Sequence, residues 1–148
     1  MRQDTPLATF CHAFEKLDKR CTKTLENLYT DDIEFTDPLH HIEGRDTLMR
    51  YYADMLANVQ TCHFEVTHRV QEGDTAFVAW TLHLTHPRLA RGTPLRITGC
   101  SQLAFRGDRI CRHRDYFDAG AMLYEHLPLL GRVIRWLKRR VDPTSHSR

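Results

Sequence analysis

The sequence predicts an α+β fold, with helices packed on one face of a curved antiparallel sheet. Two patterns carry this. Apolar residues recur at helical spacing in the first third of the chain, and side chains alternate apolar and polar through residues 62–118. The turn triplets Glu72-Gly73-Asp74 and Arg106-Gly107-Asp108 cut the alternating region into a meander of about four strands. Helices gathered before a run of strands are the signature of this class.

The elements follow in order. Thr5-Pro6 opens a first helix, with Thr5 as cap and Pro6 at the first helical position. Leu7, Phe10, Cys11, Phe14 and Leu17 form its apolar stripe. A second helix is expected over residues 19–29, carrying Cys21, Leu25 and Leu28. Ile33-Glu34-Phe35-Thr36-Asp37 alternates like a short strand and stops at Pro38. Gly44-Arg45-Asp46 starts a third helix that buries Leu48, Tyr51, Tyr52, Met55 and Leu56. Strands then cover residues 62–71, 76–85, 95–105 and 109–118, with a polar loop over residues 87–94.

Residues 128–141 form a basic amphipathic helix whose stripe is Leu130, Val133, Ile134, Leu137 and Val141. It has two readings. Either it closes the open end of the domain or a dimer groove, or it makes a weak contact with an anionic membrane surface. The expected organisation is one domain over residues 1–127, this helix, and a disordered tail over 142–148.

The bulk properties narrow the functional classes. The chain has 148 residues, 41% hydrophobic and 27% charged, as a soluble single domain does. Residues 132–148 hold six Lys/Arg against one acid, while residues 1–131 hold 15 against 18. A mildly acidic body with a basic tail argues against nucleic-acid binding, which needs a basic face. No apolar run approaches the roughly 20 residues of a membrane span, and no signal-peptide core opens the chain, so a cytoplasmic location is expected. The five cysteines are widely spaced without a Cys-x-x-Cys pair, and read as reduced thiols.

The most informative stretch is His113-Arg114-Asp115-Tyr116-Phe117-Asp118. Along a strand, His113, Asp115 and Phe117 share one face, and Arg114, Tyr116 and Asp118 the other. An acid and an imidazole on an inward face cost several kcal/mol unless they are paired. They therefore form either an internal ion pair or part of a reaction site.

Phe35-Thr36-Asp37-Pro38, followed by Gly44-Arg45-Asp46 and by a meander ending in Arg114-Asp115-Tyr116-Phe117-Asp118, resembles the nuclear transport factor 2-like superfamily. Within it, the chain resembles SnoaL-like and ketosteroid isomerase-like proteins over about residues 7–127. The resemblance implies a cone: a bent sheet wrapped around three N-terminal helices, leaving an apolar pocket for a hydrophobic small molecule. It also implies a homodimer formed through the outer sheet face.

Three enzyme groups of this fold imply roles for particular residues. Likeness to ketosteroid isomerases puts Asp37 at the position of the proton-shuttling base. The oxyanion-hole tyrosine of that group falls near Ala13 or Phe14, and its acid at Ser101. Likeness to limonene epoxide hydrolases puts Asp115 at a water-activating position. The Arg-x-Asp that completes their site is absent, leaving His83 or His113 as the acid. Likeness to SnoaL-like cyclases makes His113 and Asp115 an acid–base pair.

The expected function is thus acid–base chemistry of isomerase, cyclase or hydrolase type, with Asp37, Asp115 and His113 as catalytic residues. Phe35, His40, Phe64, Trp80, His83, Ser101 and Phe117 are expected around the ligand. The alternative is a non-catalytic ligand-binding or dimeric interaction module. No cofactor is expected. A metal site of His40, His113 and Asp115 has no sequence-local ligand spacing behind it, so no metal is expected either. The discriminating observation is whether both carboxylates open into one cavity of a few hundred Å³.

Overall fold

Thr5 caps the first helix, α1 (Pro6–Glu15), by accepting the Ala8 N–H on its hydroxyl at 3.1 Å. In the computed structural model, which describes residues 5–17, 22–87, 92–120 and 128–141, α1 buries Leu7, Phe10, Cys11, Ala13 and Phe14. The second helix, α2, is a single short segment, Thr22–Glu26. The sequence suggested helix to residue 29, but the chain turns earlier and Tyr29 opens the first strand, β1 (Tyr29–Thr36). The Leu25, Leu28 and Tyr29 side chains are still buried, because a strand start can feed the same core that helical spacing predicts.

A three-residue strand, β2 (His41–Glu43), returns antiparallel to β1. Gly44 then takes φ = 92°, which lets the chain leave β2 and enter α3 (Arg45–Ala57) while its N–H bonds the Ile33 carbonyl at 2.8 Å. The meander follows as β3 (Thr61–Glu72), β4 (Thr75–Thr85), β5 (Leu95–Arg106) and β6 (Arg109–Phe117).

The six strands form one sheet in the order β2-β1-β6-β5-β4-β3. The α+β class with a curved antiparallel sheet holds, with one refinement. β1 and β6 run parallel, pairing Phe35 with His113. That pairing brings the first strand and the last strand of the domain together at the centre of the sheet, where the polar residues lie.

Ala76, Val78, Trp80 and Leu84 of β4 point inward, which settles which face of the strand the indole occupies. Phe77, on the alternate face, is exposed together with Val70 and Tyr116. In the register of β4 and β5, Trp80 lies opposite Gly99, and the indole fills the space a Cβ at Gly99 would need. The final helix, α4 (Pro128–Val141), leaves its described side chains exposed, so those do not close the end of the sheet within one chain. No helix among the described residues is long and apolar enough to cross a membrane. The expected tail over 142–148, Cys21 and residues 88–91 of the 87–94 loop lie outside the described residues.

Candidate functional site

The open centre of the fold is an apolar cavity of about 80 Å³. Phe10 and Phe14 of α1, Tyr51, Tyr52 and Met55 of α3, and Phe35 of β1 form one side. Phe64, Val66, Val78, Trp80, Leu82, Ile97 and Phe117 on β3 to β6 form the other. Four polar side chains interrupt this wall: Asp37, Ser101, His113 and Asp115. Both carboxylates therefore open into one cavity. Its volume is below the size of a typical ligand pocket.

His113 is 1% exposed and enclosed by the rings of Phe10, Phe14, Tyr29 and Phe35. A buried imidazole in such surroundings needs a partner on each nitrogen. Nε2 lies 2.6 Å from Asp115 Oδ1, and Nδ1 lies 2.9 Å from the Tyr29 hydroxyl. Ser101 donates to the same Asp115 oxygen at 2.5 Å and accepts from the Trp80 indole N–H at 2.9 Å. At the other end, the Tyr29 and Tyr52 hydroxyls are 3.1 Å apart.

One hydrogen-bonded chain thus runs Tyr52–Tyr29–His113–Asp115–Ser101–Trp80. Its hydrogens have a consistent assignment. Trp80 donates to Ser101, and Ser101 and His113 Nε2–H donate to Asp115. Tyr29 then donates to His113 Nδ1, and Tyr52 to Tyr29. Burial holds both tyrosines protonated, pushing their phenols well above the ordinary value. Asp115 Oδ2 has no hydrogen-bond partner among the described residues, and the side chain retains 18% exposure.

Asp37 is engaged differently. Its Oδ1 accepts the backbone N–H groups of Leu39 at 2.8 Å and His40 at 2.7 Å, which shapes the turn from β1 to β2. The His40 ring lies 3.1 Å from the same oxygen. Tyr51 donates to Oδ2 at 3.0 Å. The Tyr51 phenol is raised by burial first and by the Asp37 charge second.

Of the residues the sequence singles out, Asp37, Asp115, His113, Phe35, Phe64, Trp80, Ser101 and Phe117 line the cavity. His40 stands outside the wall, bonded to Asp37 and packed on the Tyr51 ring at 4.9 Å. His83 is a correction. It lies on the outward face of β4, paired with Glu65 at 3.2 Å and stacked on His63, so it does not meet a ligand in the cavity. Its neighbour Leu82 takes the inward place. Arg114 and Tyr116 turn away from the cavity and stack on each other at 5.2 Å.

Sequence reasoning gave no site role to Tyr29, Tyr51 or Tyr52. The signal was the presence of three tyrosines at core positions, since a buried phenol needs a polar partner. Among the described residues, no group of three or more His, Cys, Asp or Glu is arranged to hold a metal ion.

A bent sheet closed by three helices around an apolar cavity with one polar seam has the nuclear transport factor 2-like fold. The chain belongs to the SnoaL-like domain family, whose model matches residues 8–113. Among solved structures, it is similar to a hypothetical protein of ketosteroid isomerase-like fold from Catenulispora acidiphila, in complex with trimethylamine. That match has 18% identity and a TM-score of 0.70, covering 82% of this chain and 92% of that one. A nuclear transport factor 2-like protein of unknown function from Burkholderia pseudomallei matches at 14% identity and TM-score 0.68, covering 78% and 92%. An epoxide hydrolase of limonene epoxide hydrolase-like type from M. tuberculosis matches at 17% identity and TM-score 0.66, covering 89% and 93%. Among curated proteins, none matches the sequence. At these identities the likenesses show the fold.

Proposed function

We propose that this chain is an acid–base enzyme of isomerase, cyclase or hydrolase type acting on a small hydrophobic molecule. Asp115 is the proton acceptor in this reading. The observation that carries it is the one-sided engagement of that carboxylate. His113 and Ser101 hold Oδ1 at 2.6 and 2.5 Å, while Oδ2 has no partner among the described residues and Asp115 is part of the cavity wall. A base held this way presents one oxygen in a fixed direction.

The proton leaves the substrate carbon or a water for Oδ2, and the electron pair stays on the substrate or hydroxide oxygen. In an isomerisation, Oδ2 returns the proton at another carbon. His113 orients Asp115, and Tyr29 orients His113. Asp37 has both oxygens occupied, by the turn N–H groups and by the Tyr51 hydroxyl, which suits it to holding the turn and the Tyr51 ring in place better than to acting as the base.

The apolar wall supports a hydrophobic substrate. The exposed Val70, Phe77 and Tyr116 on the outer sheet face support a homodimer through that face. A carrier without catalysis is the second reading, favoured by the number of wall polar groups already bonded within the protein.

The test is deuterium incorporation and turnover with a panel of cyclic ketones, enones and epoxides in heavy water, followed by NMR. Asp115→Asn is expected to slow the active pairs about 10²–10⁴-fold. Asp37→Asn is expected to cost less. Equal rates in wild type and Asp115→Asn sink the assignment. Saturable binding of panel members without turnover in wild type favours the carrier.

A further inference from the structure

We infer that α4 lies flat on an anionic membrane surface. Between Pro128 and Val141 the helix holds Arg132, Arg135, Lys138, Arg139 and Arg140 and no acid. Its described apolar side chains Val133, Trp136, Leu137 and Val141 are 46%, 48%, 49% and 82% exposed, so the domain does not cover them. At about 100° per residue, Val133, Leu137 and Val141 fall on one side with Trp136 at its edge. Arg132, Arg135 and Arg139 fall opposite.

An apolar strip backed by cations, on a helix of 14 residues, is too short to span a bilayer but suits its surface. The flank of the strip fits the same occupant. The Arg140 guanidinium lies 5.0 Å over the Trp136 ring, and both groups settle at the headgroup level of a bilayer. Lys138 pairs with Asp118 at 3.0 Å, which holds the helix one residue beyond Phe117 of the cavity wall. A second copy of the chain is a poorer occupant, because its own α4 carries the same charge.

Vesicle sedimentation with the full chain tests this. Vesicles of phosphatidylcholine containing phosphatidylglycerol are compared with phosphatidylcholine alone. The chain has two tryptophans, and Trp80 is buried, so a blue shift in fluorescence on binding reports Trp136. The expected result is sedimentation with the anionic vesicles alone, with a blue shift, weakened by salt.

Leu137→Glu should abolish binding, and Trp136→Ser should weaken it. Arg132→Gln with Arg140→Gln should weaken it roughly thirtyfold. Circular dichroism checks that each variant keeps its fold, and Trp136→Ser, which adds no charge, carries the test where Leu137→Glu does not fold. Absence of binding to anionic vesicles, equal binding to both compositions, or wild-type binding by the folded apolar-face variants overturns the inference. So does a dimer in light scattering that Leu137→Glu dissociates without any vesicle binding, which assigns the strip to a second copy.

Discussion

Trp80 and Gly99 face each other across β4 and β5, and the indole occupies the volume that any side chain at position 99 would need. The same indole donates to Ser101, which fixes the Asp115 carboxylate. Gly99→Ala is therefore expected to push Trp80 off its site, at a cost of about 1–3 kcal/mol for overpacking. Urea denaturation measures the loss. A stability equal to wild type would show that the indole has room to move.

Tyr29 is the joint of the buried polar chain, touching both Tyr52 and His113. Tyr29→Phe leaves His113 Nδ1 without its donor and the Tyr52 hydroxyl without its acceptor. The expected destabilisation is about 1–3 kcal/mol, the cost of a buried group left unsatisfied. Tyr52→Phe removes only the terminal donor and should cost less, so the order of the two midpoints checks the direction of the chain.

Alkaline pH should unfold the protein through its tyrosines. Tyr29, Tyr51 and Tyr52 are all raised, chiefly by burial, so the folded state keeps protons that the unfolded state releases near pH 10. Their contribution is intact below pH 10 and is lost as pH climbs beyond it, because the unfolded state then binds fewer protons. Phenolate absorbance should rise together with loss of circular dichroism. Smooth ionisation of all five tyrosines in the folded protein would contradict the burial.

Cys62 on β3 has its thiol pushed up to about 11 by burial. At pH 8 its thiolate fraction is about a hundredfold below that of a thiol at the ordinary value of 9.0. Maleimide labelling followed by peptide mass spectrometry should find Cys62 slow in the folded protein and fast in urea.

Asp37→Ala removes the acceptor for the Leu39 and His40 N–H groups, so the β1–β2 turn should loosen at a cost of about 1 kcal/mol. Hydrogen exchange at those two amides should accelerate. Asp37→Asn keeps an acceptor oxygen and should protect them better.

The faces of β6 were legible in the sequence because strand alternation has a period of two, and no irregularity falls between His113 and Phe117. In β4 alternation put Trp80 on one face with Val78, Leu82 and Leu84 but did not say whether that face turned inward. His83 was misplaced because a family position was matched to the segment around Leu82 without fixing which residue of it turned inward. Tyr29 escaped because its spacing from Leu25 is also helical, and β2 because three residues show no period. Nothing local marked the Tyr29–His113 contact, which depends on the parallel pairing of distant strands.

That parallel pairing also sets when the cavity can exist. Tyr29 and His113 are 84 residues apart, and their strands join only after a loop containing α3 and most of the meander has closed. Closing so long a loop is entropically slow and is compensated only when the last strand docks. A nascent chain still missing β6 has its aromatic helices and the other five sheet strands but neither His113 nor Asp115. The His113–Asp115 pair therefore joins the Tyr29 and Tyr52 hydroxyls only once the last strand has docked.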